Sequence, residues 1–317
     1  MHIIQLFDPA IGSQNLGDEI ISLNTNEVLE NIKSVTVQRP SLPTQHKPSN
    51  KEYETSIKAD IRIVGGSNLL NLDILKYRQM KLHPKQLITR SDLILMGVGS
   101  WKYQEKINTV TSYYWKRLLN NDFLHSVRDS YTEQKLHEMG FKNVLNTSCQ
   151  TLWRFKENPT IIHGERSDTV VFTLTDYNRD YSEDKDLVQL LLRSYENILF
   201  WPQGPYDLSY LSKLVELETA NITVLERTLG AFNAALQGQV DYIGTRLHAG
   251  IHALKHDVRC LIIGIDNRAI EISNDVNLLM AKRGEVEVIE TFLKNKRVEY
   301  ELQLPLRAIN SWMDQFA

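Results

Sequence analysis

The sequence lacks several features that would assign it to a special class of protein. It has only two cysteines among 317 residues, which excludes a disulfide framework. Its apolar runs are no longer than strands, well short of the roughly 20 residues that a transmembrane helix needs. The formal net charge of -3 gives no general attraction to nucleic acid. The first four residues lack the basic region of a signal peptide, so we expect a cytoplasmic protein without a transmembrane segment.

Strand and helix patterns alternate along nearly the whole sequence. This alternation predicts an α/β fold with parallel sheets that are covered by helices on both faces. Ser130 and Glu133 predict a capping box at the start of one helix, and Gly140 predicts its end. The predicted strands are residues 3–7, 34–38, 61–64, 93–98, 123–127, 144–146, 170–174, 198–201, 222–225, 240–243 and, as the last strand, 260–265. The predicted helices are residues 18–31, 70–82, 110–119, 130–140, 185–195, 208–217, 229–236, 247–254, 286–293 and 306–316.

The pattern is interrupted once, by a charged stretch at residues 154–168. Pro159 and Gly164 break the periodicity there, and we interpret the stretch as a linker. It separates an N-terminal Rossmann-like domain, residues 1–155, from a C-terminal one, residues 165–317. The economical architecture is two such domains with parallel sheets facing a cleft, and packing of the C-terminal helix back on the first domain is left open.

The most informative motif is the stretch from Gly244 to Gly250, where an apolar run gives way to a helical pattern. Such a junction faces the ligand crevice at the carboxyl end of a parallel sheet. Arg246 offers a permanent positive fork for a phosphate or carboxylate, and His248 can exchange a proton near neutral pH. The motif therefore predicts an anionic substrate and a reaction that involves proton transfer.

Four further clusters follow predicted strands. Backbone N–H groups at a helix start favour anions, paired glycines let the backbone approach a ligand, and a glutamine can bond a sugar hydroxyl. The same residues also have plain structural explanations: a helix cap for Asp18, a tight turn for the glycines and a surface ion pair for Arg128 with Asp129. The candidate residues are Asn15, Gly17, Asp18, Gly65, Gly66, Ser67, Arg128, Asp129 and Gln203.

Three histidines fall on one face of the helix that follows Arg246. His248, His252 and His256 have the spacing i, i+4, i+8, and imidazoles on one helix face can bind zinc. No glutamate stands between them as it does in metalloprotease helices. We therefore predict no metal site, with His252 and His256 as ordinary helix residues and His248 as the functional one.

Taken in order, these motifs resemble the polysaccharide pyruvyl transferase family. The resemblance covers about residues 5–272 and is most specific at Ser126-x-Arg128-Asp129 and Thr245-Arg246-x-His248. Two departures stand out: a serine, Ser67, replaces the third glycine of a glycine triplet, and residues 148–153 replace an Asp-Pro pair. The other matching elements are Asn15-x-Gly17-Asp18, Gly65-Gly66 and Gly97-x-Gly99.

The resemblance implies a GT-B-like fold and transfer of a pyruvyl group from phosphoenolpyruvate to a sugar of a surface polysaccharide or its precursor, giving a pyruvate ketal. It implies no cofactor, since phosphoenolpyruvate is the donor substrate. Arg128 and Arg246 would clamp the donor across the cleft, His248 would be the general acid, and Asp18 or Asp129 would accept the hydroxyl proton. The Asn15–Asp18 loop and the Gly65-Gly66 turn would hold phosphate or the acceptor sugar.

Several partners and two other functions stay open at this point. The carbohydrate acceptor can be free or lipid-linked, the protein can be a homo-oligomer, and a peripheral position at the inner face of the membrane is compatible with the sequence. A GT-B glycosyltransferase that uses a sugar nucleotide would share the architecture and an anion site. A non-catalytic carbohydrate-binding relative would share the fold alone.

Overall fold

The structure, a computed structural model, describes residues 2–88 and 92–317, and the chain divides into two compact units. Unit 1 comprises residues 1–13, 21–156 and 304–317, and unit 2 comprises residues 14–20 and 157–303. The last helix of the chain thus belongs to unit 1, and the first residues of the first helix belong to unit 2. Neither unit is one continuous stretch of sequence.

Strands and helices alternate through both units. The strands are β1 (His2–Asp8), β2 (Val35–Pro43), β3 (Ile61–Val64), β4 (Leu93–Leu95), β5 (His125–Val127), β6 (Val144–Asn146), β7 (Thr160–His163), β8 (Thr169–Thr173), β9 (Asn197–Phe200), β10 (Thr223–Val224), β11 (Asp241–Gly244), β12 (Arg259–Gly264), β13 (Met280–Lys282) and β14 (Val298–Glu301). The helices are α1 (Leu16–Glu30), α2 (Asn50–Ser56), α3 (Pro84–Ile88), α4 (Thr109–Leu118), α5 (Ser130–Glu138), α6 (Tyr181–Ser194), α7 (Asp207–Leu211), α8 (Leu229–Leu236), α9 (Leu247–Lys255), α10 (Asn267–Val276), α11 (Val286–Lys294) and α12 (Leu306–Asp314). A 3₁₀ helix covers Gln150–Lys156.

Unit 1 is built on a four-stranded parallel sheet in the order β2-β1-β3-β4. Strands β5 and β6 form a parallel pair beside it, linked through a bridge between Val98 and Val127. Two apolar clusters fill the unit: one contains Trp115 of α4, and the other contains Trp312 of α12. The Trp312 indole donates to the Leu95 carbonyl of β4 (3.1 Å), which attaches the last helix to this sheet.

Unit 2 is built on a six-stranded parallel sheet in the order β10-β9-β8-β11-β12-β13. Helices α6 and α11 supply apolar side chains to its core beside the buried strands β8, β9, β11 and β12. This order places the ends of β8, β9, β11 and β12 side by side, so the loops that follow them share the carboxyl edge where α/β sheets bind ligands.

The α/β class predicted from the alternation is confirmed, but several local predictions are wrong. Residues 70–82 contain no helix. The Asn71 side chain accepts the Asp73 N–H (2.8 Å), and the N–H groups of Leu72 and Ile74 bond the side chains of Gln104 and Thr111. These side-chain bonds replace the backbone bonds that a helix would make.

The chain passes from unit 1 to unit 2 between residues 156 and 157, inside the predicted linker, but this stretch also contains strand β7, which pairs antiparallel with β14. The prediction that residues 260–265 form the last strand is wrong, since β13 and β14 both follow β12. The cap of α5 is Asp129, whose side chain accepts the Thr132 N–H (2.7 Å), and not Ser130. The Glu133 carboxylate instead accepts the Asn146 N–H (2.8 Å). Gly140 ends the helix as predicted, with φ +95.

Candidate functional site

The junction between β11 and α9 is fixed by close contact with β8. Gly244 lies opposite Thr173, and a Cβ atom at Gly244 would stand 2.7 Å from the Thr173 backbone nitrogen, so only glycine fits there. Arg246 is the cap residue of α9, and its carbonyl accepts bonds from the Gly250 N–H (3.1 Å) and the Tyr242 hydroxyl (3.0 Å). The backbone of the predicted anion site is therefore held by contacts with β8 and with Tyr242 of β11 itself.

The Arg246 guanidinium is buried among carboxylates. Its Nε donates to the Leu174 carbonyl and to Asp207 Oδ2, both at 3.1 Å, and its Nη2 donates to Asp176 Oδ1 (3.1 Å) and to Asp207 Oδ1. Arg246 is 3% exposed and Asp207 0%. Burial raises the pKa of Asp207 and Arg246 opposes this rise, whereas the pKa of Arg246 is raised by Asp207 against the effect of its own burial. Arg246, Asp176 and Asp207 thus form an ion cluster at the carboxyl edge of the sheet.

Asp207 and Asp176 are not among the candidate residues that the sequence motifs predict. Asp207 opens α7, and its carboxylate also accepts the N–H groups of Gly204 (2.7 Å) and Asp176 (3.1 Å). It thereby joins the loops after β8 and β9 to the loop after β11. An acidic residue at a helix start is common, so the sequence carried no signal of this role.

A second arginine lies close to the same exposed tyrosine as Arg246. Tyr177 is 57% exposed, and its ring centroid is 5.0 Å from the Arg246 guanidinium carbon and 5.6 Å from that of Arg268. The Tyr177 hydroxyl accepts a hydrogen bond from Arg268, which also pairs with Asp266, the cap of α10. Unit 2 thus places two guanidinium groups next to one aromatic ring.

His248 and His252 have different surroundings on the same helix. His248 is buried in the first turn of α9, two residues after Arg246. His252 Nε2 lies 2.6 Å from Asn233 Oδ1, and its ring packs 5.8 Å from the Phe232 ring. Burial lowers the pKa of His252 to about 4, with help from His256. His252 is therefore a neutral core residue.

Three predicted residues from distant parts of the sequence meet in unit 2. Gln203 Nε2 donates to Asn15 Oδ1 (2.8 Å), the same oxygen accepts the Gly17 N–H (3.1 Å), and the Gln203 carbonyl accepts the Leu16 N–H (3.2 Å). Gln203 is buried, and its Oε1 has no hydrogen-bond partner among the residues that the structure describes. Buried amide oxygens are normally paired, so this acceptor lacks a partner that the described residues do not supply.

Asp18 lies inside α1 and does not cap it. The helix begins at Leu16, so Asp18 is its third residue, and the Asp18 N–H donates to the Asn15 carbonyl (2.9 Å). The Asn15 side chain instead accepts the Gly17 N–H at the start of the helix. Asp18 is buried in unit 2 together with Asn15 and Gly17.

Arg128 and Asp129 belong to unit 1 and form a buried pair, not a surface pair. Arg128 is 1% exposed; its Nε donates to Asp129 (3.1 Å), its Nη2 to the Ser100 carbonyl (3.1 Å) and its Nη1 to Asn68. A Cβ atom at Gly99 would stand 2.6 Å from Arg128 Nη2. The second glycine of the Gly97-x-Gly99 motif therefore makes room for this arginine.

The Gly65-Gly66 turn encloses a protein side chain. Gly66 and Ser67 both have left-handed backbone, with φ of +94 and +70. Gln150 Nε2 donates to Thr25 Oγ1 (2.9 Å) and approaches the Gly65 carbonyl (3.4 Å), and a Cβ atom at Gly66 would collide with the same amide. Gln150 lies in residues 148–153, where the sequence departs from the family pattern. The Gln150 side chain therefore occupies the space inside the turn.

Comparison with known proteins decides the family. The model of the polysaccharide pyruvyl transferase family matches residues 15–267, which is most of the chain. The chain belongs to this family. No curated protein sequence matches it at a significant level. The match begins at Asn15 and ends at Asn267, so it contains every predicted site residue, while Arg268 lies one position beyond it.

Solved structures show the fold of this pyruvyl transferase family member. UDP-GlcNAc 2-epimerase from Neisseria meningitidis bound to UDP-GlcNAc is similar over 92% of this chain and 90% of its own, with 12% identity and a TM-score of 0.54. The enzyme from Methanocaldococcus jannaschii, in complex with UDP-GlcNAc and UDP, covers 99% and 97%, with 12% identity and a TM-score of 0.53. The S. aureus MnaA–UDP structure covers 92% and 87%, with 10% identity and a TM-score of 0.52.

These similarities establish a GT-B-like fold, as the sequence resemblance implied, and at such low identity they establish nothing about the reaction. Within residues 2–88 and 92–317, no helix is both long and apolar enough to cross a membrane. The pyruvyl transferase motifs fall in both units: Arg246 and His248 in unit 2, Arg128 and the glycine turns in unit 1. Contact of Arg128 and Arg246 with one ligand stays a prediction.

Proposed function

We propose that the protein transfers a pyruvyl group from phosphoenolpyruvate to a sugar of a surface polysaccharide or its precursor, forming a pyruvate ketal. The observation that carries the proposal is the junction of β11 and α9. There, a buried arginine and a buried histidine lie two residues apart at the ligand edge of the unit 2 sheet. The family match, which includes this junction, supports the same reaction class.

The donor would bind beside Arg246. Phosphoenolpyruvate carries a carboxylate and a phosphate, and guanidinium groups are the side chains best suited to such oxygens. Asp176 is 14% exposed, whereas Asp207 is fully buried, so a donor oxygen would replace Asp176 on Arg246 Nη2 and leave Asp207 in place. Arg268 supplies a second cation in unit 2. Arg128 in unit 1 keeps its predicted role, in which it would bind the donor together with Arg246.

His248 would act as the general acid. It protonates the methylene carbon of phosphoenolpyruvate, which becomes a methyl group, and the second carbon becomes electrophilic. One sugar hydroxyl attacks that carbon and loses its proton to Asp18 or Asp129. A second hydroxyl then closes the ketal as the carbon–oxygen bond to phosphate breaks. The two hydroxyl groups lose two protons in all. One replaces the proton that the general acid gave to the methyl group, and the other is taken up by phosphate.

The acceptor would meet the loop after β9. Gln203 Oε1 is a buried acceptor with no donor among the described residues, and a sugar hydroxyl would satisfy it. Asn15 Oδ1 accepts a hydrogen bond from Gln203 Nε2, so Gln203 Oε1 is the atom that would face the ligand. The backbone around Gly17 lies against this amide and would contribute to the same contact.

The direct test is incubation of the protein with phosphoenolpyruvate and a panel of β-linked hexose oligosaccharides. We expect release of phosphate only in the presence of an acceptor, together with a glycan mass gain of one pyruvate less one water. Binding of a nucleoside diphosphate without binding of phosphoenolpyruvate would instead favour a sugar-nucleotide glycosyltransferase. Glycan binding without turnover would favour a non-catalytic relative.

The role of His248 is tested by His248→Gln. Loss of a positioned general acid typically costs about 10²- to 10⁴-fold in rate, and we expect a fall in kcat of that order. His256→Gln is the matched control, since His256 stands at the end of the same helix, and it should retain wild-type turnover. Equal phosphate release by His248→Gln and the wild type would remove His248 from the mechanism.

A further inference from the structure

Unit 1 contains a large open cavity that the proposed chemistry does not use. Two loops line it, residues 71–77 after β3 and residues 101–108 after β4. Both loops leave the carboxyl ends of neighbouring parallel strands, so the cavity lies at the ligand edge of the unit 1 sheet. Its walls combine aromatic rings with amide, carboxylate and lysine side chains, which is the composition of a polar-ligand site.

The cavity holds an aromatic pair. The rings of Tyr77 and Trp101 lie with centroids 4.8 Å apart and planes inclined by 38°. Tyr77 is 44% exposed and Trp101 is half-buried, although the other four tryptophans of the chain are all buried. A ring of this size that is left in contact with water contributes little to the core, and it is better explained by a ligand.

The loops hold these rings in fixed positions. The Leu70 N–H donates to the Gly99 carbonyl (3.1 Å), and the Trp101 N–H donates to the Leu70 carbonyl (2.9 Å). The Trp115 indole also donates to the Asn71 carbonyl (3.2 Å), which ties the first loop to the core. Strand-like pairing therefore positions Trp101, whereas Tyr77 is held by a turn in which its N–H donates to the Asp73 carbonyl (3.2 Å).

Polar side chains next to the rings are positioned by one another. Asn108 Nδ2 donates to Asp73 Oδ1 (2.7 Å), and Gln104 Oε1 accepts the Leu72 N–H (2.9 Å). The Lys102 ammonium lies 4.6 Å from the Trp101 ring centroid on an exposed side chain that can move aside. Such a wall offers both donors and acceptors to hydroxyl groups, while the rings offer an apolar face.

We propose that Tyr77 and Trp101 form a carbohydrate-binding platform, on which a pyranose ring of the acceptor stacks its C–H face while Asp73, Gln104 and Asn108 bond its hydroxyls. The assignment of this sugar as the acceptor rests on the proposed function. Stacking of the sugar needs neither phosphoenolpyruvate nor the residues of the transfer step. The platform can therefore be tested separately from the reaction.

The buried state of the other four tryptophans makes Trp101 a selective reporter. Quenching of tryptophan fluorescence by acrylamide should come mainly from Trp101 and should largely vanish in Trp101→Phe. We expect a β-linked gluco- or galacto-oligosaccharide that serves as an acceptor to protect the wild type from quenching, in the absence of phosphoenolpyruvate. If an oligosaccharide that serves as an acceptor does not protect the wild type from quenching, the platform proposal is wrong.

Kinetics provide the second measurement. Trp101→Ala and Tyr77→Ala should each raise the acceptor KM by about 3- to 10-fold, as expected for the loss of one aromatic contact, with the KM for phosphoenolpyruvate unchanged. Tyr113→Ala, an exposed tyrosine on α4 outside the cavity, is the matched control and should leave both constants unchanged. Unchanged acceptor KM in both cavity variants would refute the proposal.

The two hypotheses fail in different ways. If the wild type releases no phosphate with any acceptor but an oligosaccharide protects Trp101, the platform stands and the pyruvyl transfer fails. If the wild type pyruvylates an oligosaccharide that neither protects Trp101 nor depends on Tyr77, the transfer stands and the platform fails.

Discussion

At the scale of single residues, the cations of the candidate site are already paired. Arg246 bonds two carboxylates, and Arg128 bonds one carboxylate and two oxygens of its own unit. A buried guanidinium without such partners would be costly, so the carboxylates keep each arginine charged and oriented. They also reduce the attraction for an anionic donor. Under the proposed function, the affinity for phosphoenolpyruvate would depend on how readily one carboxylate leaves the guanidinium.

This balance predicts that Asp176→Asn binds phosphoenolpyruvate more tightly. The substitution removes a negative charge 3.1 Å from Arg246 Nη2, while Asp207 continues to hold the guanidinium. At the partly exposed position of Asp176, we expect a decrease in Kd of about 3- to 10-fold, measured by calorimetry at low salt. Asp186→Asn, on the exposed surface of α6, should leave Kd unchanged. Weaker binding in Asp176→Asn would show that Asp176 helps to hold the donor.

Buried histidine is a second residue-scale feature with a measurable effect. His125 Nδ1 accepts the Leu95 N–H (3.2 Å), so its proton lies on Nε2, which donates to the Asn120 carbonyl (2.8 Å). Burial lowers the pKa of His125 to about 4, from 6.5 for the free side chain. Between these values the unfolded chain binds the proton and the folded protein does not, so stability falls as the pH decreases from 6.5 to 4.

We expect His125→Asn to make the free energy of unfolding less dependent on pH in that window. A single group with this shift contributes a slope of up to about 1.4 kcal/mol per pH unit. The asparagine amide keeps an acceptor for the Leu95 N–H without a titrating group. Urea unfolding at several pH values between 4 and 7 measures the slope. If the slope of the variant equals that of the wild type, His125 does not remain neutral in the fold.

At the scale of elements, the β8–β11 pair determines where the site arginine lies. Gly244 faces Thr173, and the Thr173 carbonyl accepts the Thr245 N–H (3.1 Å) just before the arginine. The register of two strands therefore sets the position of Arg246 more directly than any loop does. Strand ends are more precise supports for a site than flexible loops.

Gly244→Ala should therefore damage both stability and function. The added methyl group would stand 2.7 Å from the Thr173 nitrogen, closer than real contacts allow, and 3.0 Å from its carbonyl oxygen, which is a tight contact. Overpacking of this kind costs about 1–3 kcal/mol, and we expect urea unfolding to show a loss in that range together with lower turnover. At Gly164, where nothing lies within 4 Å of an added Cβ, the same substitution should be nearly neutral.

The elements also show how far the sequence alone could lead. Runs with a clear period, such as residues 229–236 and 61–64, form the predicted helix and strand. Strand β14 was missed because it has only four residues, Val298–Glu301, and is stabilised by pairing with the distant strand β7. The helix predicted at residues 70–82 does not form, because the Asn71 side chain accepts a nearby backbone N–H. Local patterns are readable in a sequence, whereas partners supplied by distant residues are not.

The same limit applies to the site. Arg246 and His248 were predictable because one short stretch contains both residues and the strand-to-helix transition. The partner Asp207 was not, since it stands 39 residues earlier and meets Arg246 only when β9 and β11 lie on either side of β8. Tyr177 and Gln150 were missed for the same reason: their role depends on contacts across the sheet or across a turn.

At the scale of the whole molecule, unit 1 depends on the end of the chain. Ile309, Trp312 and Phe316 are fully buried in its second apolar cluster, and the Trp153 and Trp312 rings lie 5.6 Å apart. Trp312→Ala should lower the free energy of unfolding by about 3–5 kcal/mol, as is usual for a buried tryptophan. Trp101→Ala, which empties no core position, should cost less than about 1 kcal/mol by the same urea titration. Similar losses in both variants would contradict the packing of α12 in unit 1.

This return of the last helix has a consequence for the order in which the protein is made. Leu95 of the unit 1 sheet is synthesised well before its partner Trp312, which follows it by 217 residues. Unit 2, apart from residues 14–20, is synthesised in between. Contacts so distant in sequence form slowly, and domains otherwise fold as they emerge. Of these two units, unit 1 therefore begins synthesis before unit 2 but can complete its core only after residues 157–303 have been made.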